Sequence, residues 1–421
     1  MRSLNHPIEI FLICITSCCC LAVSCGDGID AKSPEMKSDK LTAGTYAYDR
    51  SFLKKQLEVV ELINNQSRVL LVPQYQGRVM TSTCSGDTGL SFGWINYKLI
   101  QSGEIKQHMN AFGGEERLWL GPEGGQFAVF FKEKVPFEYE HWFTPKELDT
   151  AAFDVTDQTP VSVVFHKDFQ LLNRSGTLFA IGIERKVRVL DKQETVDRLH
   201  TSFSNDVQAV AYESQNILTN RGRSNWEKET GLLSVWMLGM MKPSPSTIVA
   251  IPVKEGDEKD LGPLVHDKYF GTIPADRLTI NKNAVFLKAD GKHRGKLGIP
   301  PARVQHFIGS YDAANHTLTL LESDIPEGEK DYVNSAWEDQ KDPYSGDVFN
   351  AYNDGPLADG SQMGPFYELE TSSPAAKLAA GKSLNHTQVT YHLTGNENKL
   401  DEIARSTLGI SINEIKNAFK K

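Results

Sequence analysis

Cysteine is scarce outside the first residues of this chain. Five of the six cysteines in the 421-residue sequence lie between positions 14 and 25, and Cys84 alone follows them. A single thiol permits no internal disulfide and no metal site built from cysteines in the body of the chain. Cys84 itself lies in an apolar, strand-like run, which predicts an inert side chain.

Basic clusters and long apolar runs are also few. The net charge is −9, and nucleic-acid binding needs a dense basic surface, so we expect no nucleic-acid partner. Residues 8–23 are apolar, but Glu9 and several hydroxyl side chains interrupt them, whereas a membrane span needs about 20 predominantly apolar residues. Motifs for dinucleotides, nucleoside phosphates, zinc proteases and serine hydrolases are missing, so the sequence requires no cofactor.

The N-terminal segment has the features of an export signal. Arg2 precedes the apolar run, and Ala22-Val23-Ser24 stands directly before Cys25. This pattern resembles a bacterial lipobox, in which Cys25 becomes the lipidated first residue; a generic signal peptide cleaved nearby is the alternative. We therefore predict a signal peptide over residues 1–24, a flexible tether over 25–44, and a periplasmic or surface protein lipid-anchored to the bacterial outer membrane.

Strand-like patterns dominate the rest of the chain. Short alternating apolar runs recur between positions 59 and 393, and turn-rich stretches separate them. Helical periodicity is concentrated in the tail, where Asn398 precedes one apolar face, Gly409 ends it, and Ser411 begins a capping box with Glu414. Because no interior linker is visible, the pattern predicts one all-β domain of two stacked antiparallel sheets over residues 45–396, followed by two helices over 397–421.

Two glutamates share one face of a predicted strand between Gly364 and Pro374. Side chains alternate along a strand, so Glu368 and Glu370 point the same way with Cα atoms roughly 7 Å apart. In a partly dry site one of them would keep its proton to higher pH and act as an acid or base near neutrality. Alternatively, both are solvated residues on an exposed face.

A glycine-rich segment, residues 113–126, combines charged residues with a tryptophan. Arg117, Trp119 and Glu123 offer a flat apolar surface beside charged hydrogen-bonding groups, which suits a sugar. A turn cluster with structural glycines is the alternative interpretation. His141, between Glu140 and Trp142, could donate a proton to a ring oxygen or be an ordinary loop or core residue.

Two further clusters also have two interpretations each. Six basic residues between Lys288 and Arg303 form either a solvated loop or a contact for an anionic substrate such as a uronate. Asn350, Asn353, Asp354 and Asp359 surround Gly355-Pro356, where they could line a Ca²⁺ site or simply form turns. We predict no metal site.

The strand around Glu370 resembles the end of galactose mutarotase-type domains. Its Leu-Glu-Thr motif is followed by Pro374, a Gly-Lys-Ser turn and a closing strand over residues 386–393. In that family this glutamate is the general base at the anomeric hydroxyl of the sugar, so the resemblance implies that role for Glu370. Arg221 stands where the family has its general-acid histidine, and Phe112 where it has a substrate-binding histidine.

The chain as a whole more closely resembles a family of Bacteroidota lipoproteins for which no activity is established. The resemblance rests on residues 113–126, 353–356 and 366–374 and covers nearly all of residues 45–410. It implies a galactose mutarotase-like β-supersandwich with short peripheral and C-terminal helices.

These patterns and resemblances predict a lipoprotein that binds a carbohydrate in the concave face of one sheet, with or without proton transfer. A noncatalytic glycan-binding or scaffolding lipoprotein and a two-carboxylate glycoside hydrolase are the alternatives. The sequence does not decide whether the protein is an enzyme, which glycan it binds or how it oligomerises. The predicted site comprises Glu370 as base, Glu368 as the residue that tunes it, His141 as a candidate acid, and Arg117, Trp119, Glu123 and Arg221 as substrate contacts.

Overall fold

Two antiparallel sheets organise residues 41–203 and 206–420, which are the residues that the structure, a computed structural model, describes. The predicted signal peptide, Cys25 and most of the predicted tether lie outside them. The strands are β1 (Val60–Asn64), β2 (Ser67–Val72), β3 (Arg78–Thr83), β4 (Gly114–Gly121), β5 (Asp154–Gln158), β6 (Ser162–Leu172), β7 (Leu178–Val189), β8 (Val207–Asn220), β9 (Ser234–Met240), β10 (Thr247–Pro252), β11 (Leu278–Ile280), β12 (Ala284–Lys288), β13 (Gly295–Ile299), β14 (Phe307–Asp312), β15 (Thr317–Ser323), β16 (Phe349–Asn353), β17 (Tyr367–Ser372) and β18 (Ser383–Gly395).

The helices are short and lie between or beside the strands. None of those in the described residues is long and apolar enough to cross a membrane. They are α1 (Tyr46–Gln56), α2 (Tyr97–Ser102), α3 (Lys146–Asp149), α4 (Lys192–Arg198), α5 (Glu258–Leu261), α6 (Glu397–Leu408) and α7 (Ile412–Asn417).

One sheet has eight strands in the order β1-β2-β3-β4-β9-β17-β16-β13, and the other has ten in the order β11-β12-β10-β14-β15-β18-β8-β7-β6-β5. Hydrogen bonds join their facing sides, for example from Thr371 Oγ1 on β17 to Gln388 Oε1 on β18 at 2.8 Å. The prediction of an all-β fold with two antiparallel sheets and short helices is confirmed. The opposite side of the eight-stranded sheet, here called the outer face, carries Glu368 and Glu370.

The alternation that predicted the strands has a direct structural cause. Along β7, Phe179, Ile181, Ile183 and Val187 are fully or almost fully buried, while Glu184 and Lys186 are exposed on the other face. Each buried aliphatic or aromatic side chain contributes about 1.5–3 kcal/mol relative to an exposed one, so register is strongly fixed by this face.

Two segments that were interpreted above as a turn cluster or a loop contain strands. Residues 113–126 begin with β4, and the basic run between Lys288 and Arg303 contains β13. Both strands are buried throughout although they carry charged residues. Conversely, the apolar run over residues 127–131 predicts a strand, but these residues form none of the strands given above and make a single isolated bridge, between Phe131 and Trp142.

The C-terminal helices pack on the ten-stranded sheet. Asn396 caps the start of α6, and Gly409 ends it in the left-handed conformation with φ 66°. Ser411 and Glu414 form the predicted capping box at the start of α7. The apolar sides of both helices join a core with β10, β14 and β15, and their buried members are Leu400, Ile403, Ala404, Leu408, Ile412 and Ile415.

Candidate functional site

One row of residues runs across the outer face of the eight-stranded sheet. Arg117 on β4 lies opposite Leu238 on β9, which lies opposite Glu370 on β17. Glu370 in turn lies opposite Asn350 on β16, and Asn350 lies opposite Gly298 on β13. Residues directly opposite one another in an antiparallel pair share a face. The pairing therefore gathers side chains that are more than 250 positions apart in the sequence.

Glu370 is completely buried, and only one of its two carboxylate oxygens accepts hydrogen bonds within the part of the chain that the structure describes. Its Oε2 accepts hydrogen bonds from the Trp236 indole at 2.8 Å and from the Lys296 ammonium at 2.9 Å. The other oxygen, Oε1, is also buried but accepts no hydrogen bond from any described residue. A buried carboxylate oxygen without a donor is costly. Such an atom marks a place where a ligand hydroxyl or a water molecule would be bound.

Glu368 forms an ion pair at the same strand face. Its Oε1 lies 3.1 Å from Nη2 of Arg117, and both side chains are almost fully buried. Burial raises the pKa of Glu368 to about 7, Arg117 opposes this shift, and the charge of Glu370 adds to it. The Arg117 guanidinium also stacks 4.2 Å from the centre of the Trp119 ring. The site thus contains a carboxyl group that titrates near neutral pH.

An aromatic cluster borders the two glutamates. Trp236 meets Trp119 edge to face with ring centres 5.6 Å apart, and Phe130 lies 5.1 Å from Trp119. From a loop over these rings, Trp142 stacks on Phe130 at 5.9 Å and on Trp337 at 5.9 Å. The indole nitrogens of Trp119 and Trp142 are buried without acceptors in the described part of the chain. Unused donors therefore lie in the same cluster as the unused acceptor of Glu370.

Glu123 is the third carboxylate of this region. Burial raises the pKa of its carboxyl, Lys296 opposes the shift, and Glu370 adds to it. Its backbone N–H donates to Ser335 Oγ at 3.1 Å, so the loop that carries Glu123 is joined to the loop that carries Trp337. Contacts and electrostatic coupling thus connect Arg117, Trp119, Glu123, Glu368 and Glu370 in one region.

Arg221 and His141 are placed differently. Arg221 follows β8 in the other sheet, where it is half exposed and lies 3.4 Å from Asp168. The structure therefore does not bring it to the glutamates, and the position-by-position resemblance was misleading there. His141 lies half-buried in the turn Tyr139–His141, and no side-chain hydrogen bond or ion pair of it is found within the described residues. Its neighbour Trp142 is the residue that joins the aromatic cluster.

The residues considered for calcium have structural partners. Asn353 Oδ1 accepts from the backbone of Gly291 at 2.9 Å. The two oxygens of Asp354 accept from Tyr352 at 2.6 Å and from the backbone of Gly364 at 3.0 Å. Nowhere in the described residues do three or more His, Cys, Asp or Glu side chains form a group that could hold a metal ion. Hydrogen bonds to neighbouring segments account for Asn353 and Asp354.

Several residues of this face were missed at the sequence level. Lys296 was considered only as part of the basic run between Lys288 and Arg303. Trp236 lies in an apolar run and was not assigned to the site. His266, Tyr269 and Asp347 lie on connecting segments that carried no recognised motif. Period-two alternation through β13 and β9 was the one signal available for Lys296 and Trp236. No local pattern marks the other three, because their contacts are made across the sheet.

The site itself is closed in this structure. The side chains of Arg117, Glu368, Glu370 and Lys296 are between 0% and 9% exposed. Two surface depressions of about 600 and 200 Å³ lie elsewhere, one beside Pro326 and the other beside His392, and neither is lined by Glu368 or Glu370. A ligand can reach Glu370 only if the covering side chains move.

Fold and site together define a class: a two-sheet all-β protein with a carboxylate and aromatic cluster on one sheet face. The chain belongs to the family of unknown function DUF6786, whose model matches residues 44–419. No curated protein sequence matches it.

Several solved structures resemble the chain loosely. Slr1438 from Synechocystis sp. PCC 6803 is 11% identical, with 81% of this chain and 97% of that chain covered and a TM-score of 0.49. A galactose mutarotase-like protein from Lactobacillus casei ATCC 334 is 10% identical, with 80% and 100% covered and a TM-score of 0.45. A galactose mutarotase related enzyme from Lactobacillus acidophilus is 10% identical, with 80% and 97% covered and a TM-score of 0.42. These likenesses assign no role to any residue.

Proposed function

We propose that the protein binds a carbohydrate at the outer face of the eight-stranded sheet and that Glu370 transfers a proton at its anomeric hydroxyl. The observation that carries this proposal is the buried, unpartnered Oε1 of Glu370. It lies on a side chain whose other oxygen is fixed by Trp236 and Lys296. Because these two donors hold the carboxylate in place, its free oxygen is positioned to accept a proton from a bound hydroxyl.

The composition of the cluster suits a sugar better than a purely apolar ligand. Sugar hydroxyls both donate and accept hydrogen bonds, and the cluster offers unused donors at Trp119 and Trp142 beside the unused acceptor of Glu370. The indole faces offer apolar surface for the C–H side of a sugar ring. The resemblance of the Leu-Glu-Thr strand to mutarotase-type domains supports the same chemistry at Glu370.

The test is anomer exchange measured with and without the carboxylate. We expect purified protein to bind a sugar and to accelerate exchange between its anomers, as followed by saturation-transfer NMR on glucose, galactose and uronic acids. Glu370→Gln should abolish the acceleration and retain binding, because the amide keeps the shape and cannot take the proton. Glu184→Gln, at an exposed position on β7, is the control and should behave as wild type. Exchange that survives Glu370→Gln would exclude this base.

Noncatalytic glycan binding is the second candidate. It is favoured by the position of Arg221, which stands where the resembled family has its acid but lies on the other sheet. Sugar binding without acceleration of exchange in wild type would establish it. A two-carboxylate hydrolase would instead use Glu123 with Glu370, and release of reducing sugar from an oligosaccharide would identify that activity.

A further inference from the structure

We propose that His266, held by Asp347, is the second proton-transfer residue of this site and works opposite Glu370. This inference rests on the proposed function. It assigns the acid to a residue other than Arg221 and His141, and it places that acid at the solvent edge of the cluster while the base lies at the buried end.

The row across the outer face continues to His266. The backbone of His266 pairs with that of Gly298 through two hydrogen bonds, of 2.9 and 2.7 Å, so the connecting segment adds a further edge beside β13. Glu370, Asn350, Gly298 and His266 are therefore successive neighbours in one line. Three strand spacings separate the Cα atoms of Glu370 and His266 by roughly 15 Å. A sugar that contacts both side chains would lie along this row, above Asn350.

Asp347 orients the imidazole. Its Oδ1 lies 2.9 Å from His266 Nδ1, and its Oδ2 accepts from the Tyr269 hydroxyl. The Asp347 side chain is almost fully buried, whereas that of His266 is 39% exposed. No hydrogen bond from Nε2 of His266 is found in the described part of the chain. A carboxylate that binds Nδ1–H leaves Nε2 as the atom that exchanges protons with a ligand.

The glycine at position 298 makes this arrangement sterically possible. A Cβ on Gly298 would lie 1.9 Å from Asp347 Oδ2, so any larger residue would displace the carboxylate. The absent side chain thus provides the space in which Asp347 reaches both His266 and Tyr269.

Polar and charged groups connect the dyad with the base. Lys296 Nζ, which binds Glu370, lies 5.7 Å from the centre of the Tyr269 ring. Tyr269 then contacts Asp347, and Asp347 contacts His266. The charged groups that act on His266 are Asp347, whose hydrogen bond raises the pKa of the imidazole, and Asp267, which adds to this, while burial opposes it. The proton-donating imidazolium is therefore favoured to higher pH than in a free histidine.

The reaction step balances without a co-reactant. Glu370 Oε1 takes the proton of the anomeric hydroxyl while His266 Nε2 gives its proton to the ring oxygen. The bond between C1 and the ring oxygen breaks, and the C1–O bond becomes a carbonyl. After rotation about C1–C2, both transfers reverse and the ring closes to the other anomer. Both residues then regain their starting protonation states, since each has lost and gained one proton.

The experiment compares His266→Gln with His166→Gln. His166 on β6 is a matched control because it also faces a carboxylate, Asp168, at 3.5 Å, and belongs to the other sheet. Each variant is assayed for sugar binding by NMR titration, for melting temperature and for anomer exchange between pH 5 and 9. We expect His266→Gln to lower exchange by roughly 100-fold with binding retained, and His166→Gln to leave it unchanged.

Asp347→Asn supplies the readout that a structural role would not change. Loss of the carboxylate removes the hydrogen bond that raises the imidazole pKa, so the fall of exchange with rising pH should begin at lower pH than in wild type. Exchange that depends on Glu370 but is unchanged in His266→Gln would overturn this inference and leave the proposed function intact. Wild-type protein that binds sugar without exchanging its anomers would overturn both proton-transfer roles, and protein that binds no sugar would overturn the proposed function itself.

Discussion

At the scale of single residues, the same side chain type takes different states within one site. Glu370 and Glu368 are two positions apart on β17 and both are buried. Glu370 accepts hydrogen bonds from the Lys296 ammonium and the Trp236 indole. Glu368 accepts a hydrogen bond from the Arg117 guanidinium and lies close to the carboxylate of Glu370. The pKa of Glu368 rises to about 7 mainly because burial disfavours its charged form. Pairs of carboxyl groups in unequal surroundings are typical of acid–base sites.

The shift of Glu368 predicts a pH-dependent stability. Its pKa is about 7 in the folded protein and near 4.5 when unfolded. A raised carboxyl pKa contributes stability that is fully present below the unfolded value and is lost as the pH rises through the folded value. The shift corresponds to roughly 3 kcal/mol. Between pH 4.5 and 8 wild type should therefore lose about that much stability relative to Glu368→Gln.

Urea unfolding of wild type and Glu368→Gln at a series of pH values measures how the difference in their unfolding free energies changes with pH. Glu184→Gln again serves as the control, because that side chain is exposed on β7, and its unfolding free energy should stay parallel to that of wild type. If the curves for wild type and Glu368→Gln are also parallel across this range, Glu368 does not carry the raised pKa.

At the scale of elements, β4 shows how a strand can hold buried charges. Arg185 and Glu116 are fully buried between the sheets with their side-chain atoms 2.6 Å apart. Glu116 also accepts from Gln388 at 2.7 Å, and Arg185 donates to Asn216 at 2.7 Å. Each charge is thus satisfied by a partner on another strand. From sequence alone, the charged residues of β4 beside two glycines resemble a loop, because the partners that neutralise buried charges lie on distant strands.

This pair predicts a large effect of single substitutions. Removing one partner of a buried ion pair leaves the other charge uncompensated and typically costs about 3–5 kcal/mol. Arg185→Met and Glu116→Gln should each lower the free energy of unfolding by that order, and the double variant by much less than their sum. Arg405→Met, which removes a largely exposed pair with Asp401 on α6, should change it by no more than about 0.5 kcal/mol.

Denaturant unfolding of the four variants gives the coupling energy directly. Additive losses for the two buried substitutions would show that Arg185 and Glu116 do not act as a pair. A loss for Arg405→Met as large as that for Arg185→Met would show that burial is not the cause.

At the scale of the whole molecule, the predicted lipid anchor at Cys25 can be tested independently of the β-sheet domain. We propose that the protein is held at a membrane through a lipid on Cys25, on the basis of the lipobox-like residues before it. Cys25→Ser should therefore release the protein into the soluble fraction or leave it unprocessed. Fractionation of cells that express either form, followed by mass spectrometry of the N-terminus, makes the comparison. A wild-type N-terminus that carries no lipid on Cys25, together with an unchanged membrane fraction for Cys25→Ser, would refute the anchor.

The sequence determined the fold class because alternation and turn residues act locally. Period-two patterns such as that of β7 fix which face is buried, and Asn, Gly and Ser at helix ends fix the caps of α6 and α7. The same alternation placed Glu368 and Glu370 on one side of β17. A family resemblance then singled out Glu370, whose burial and partners the structure supplied.

Tertiary structure alone decided which distant residues join the two glutamates. Sheet pairing brings Arg117 and His266 into one row with Glu370 and places Lys296 in the row of Glu368, and no spacing in the sequence encodes that order. The same pairing sends Arg221 to the other sheet, although its sequence context placed it in the site. Burial of the glutamates was equally undecided, because the loops that cover them come from separate parts of the chain. Local patterns set which way a side chain points, whereas the long-range pairing of strands sets what it meets there.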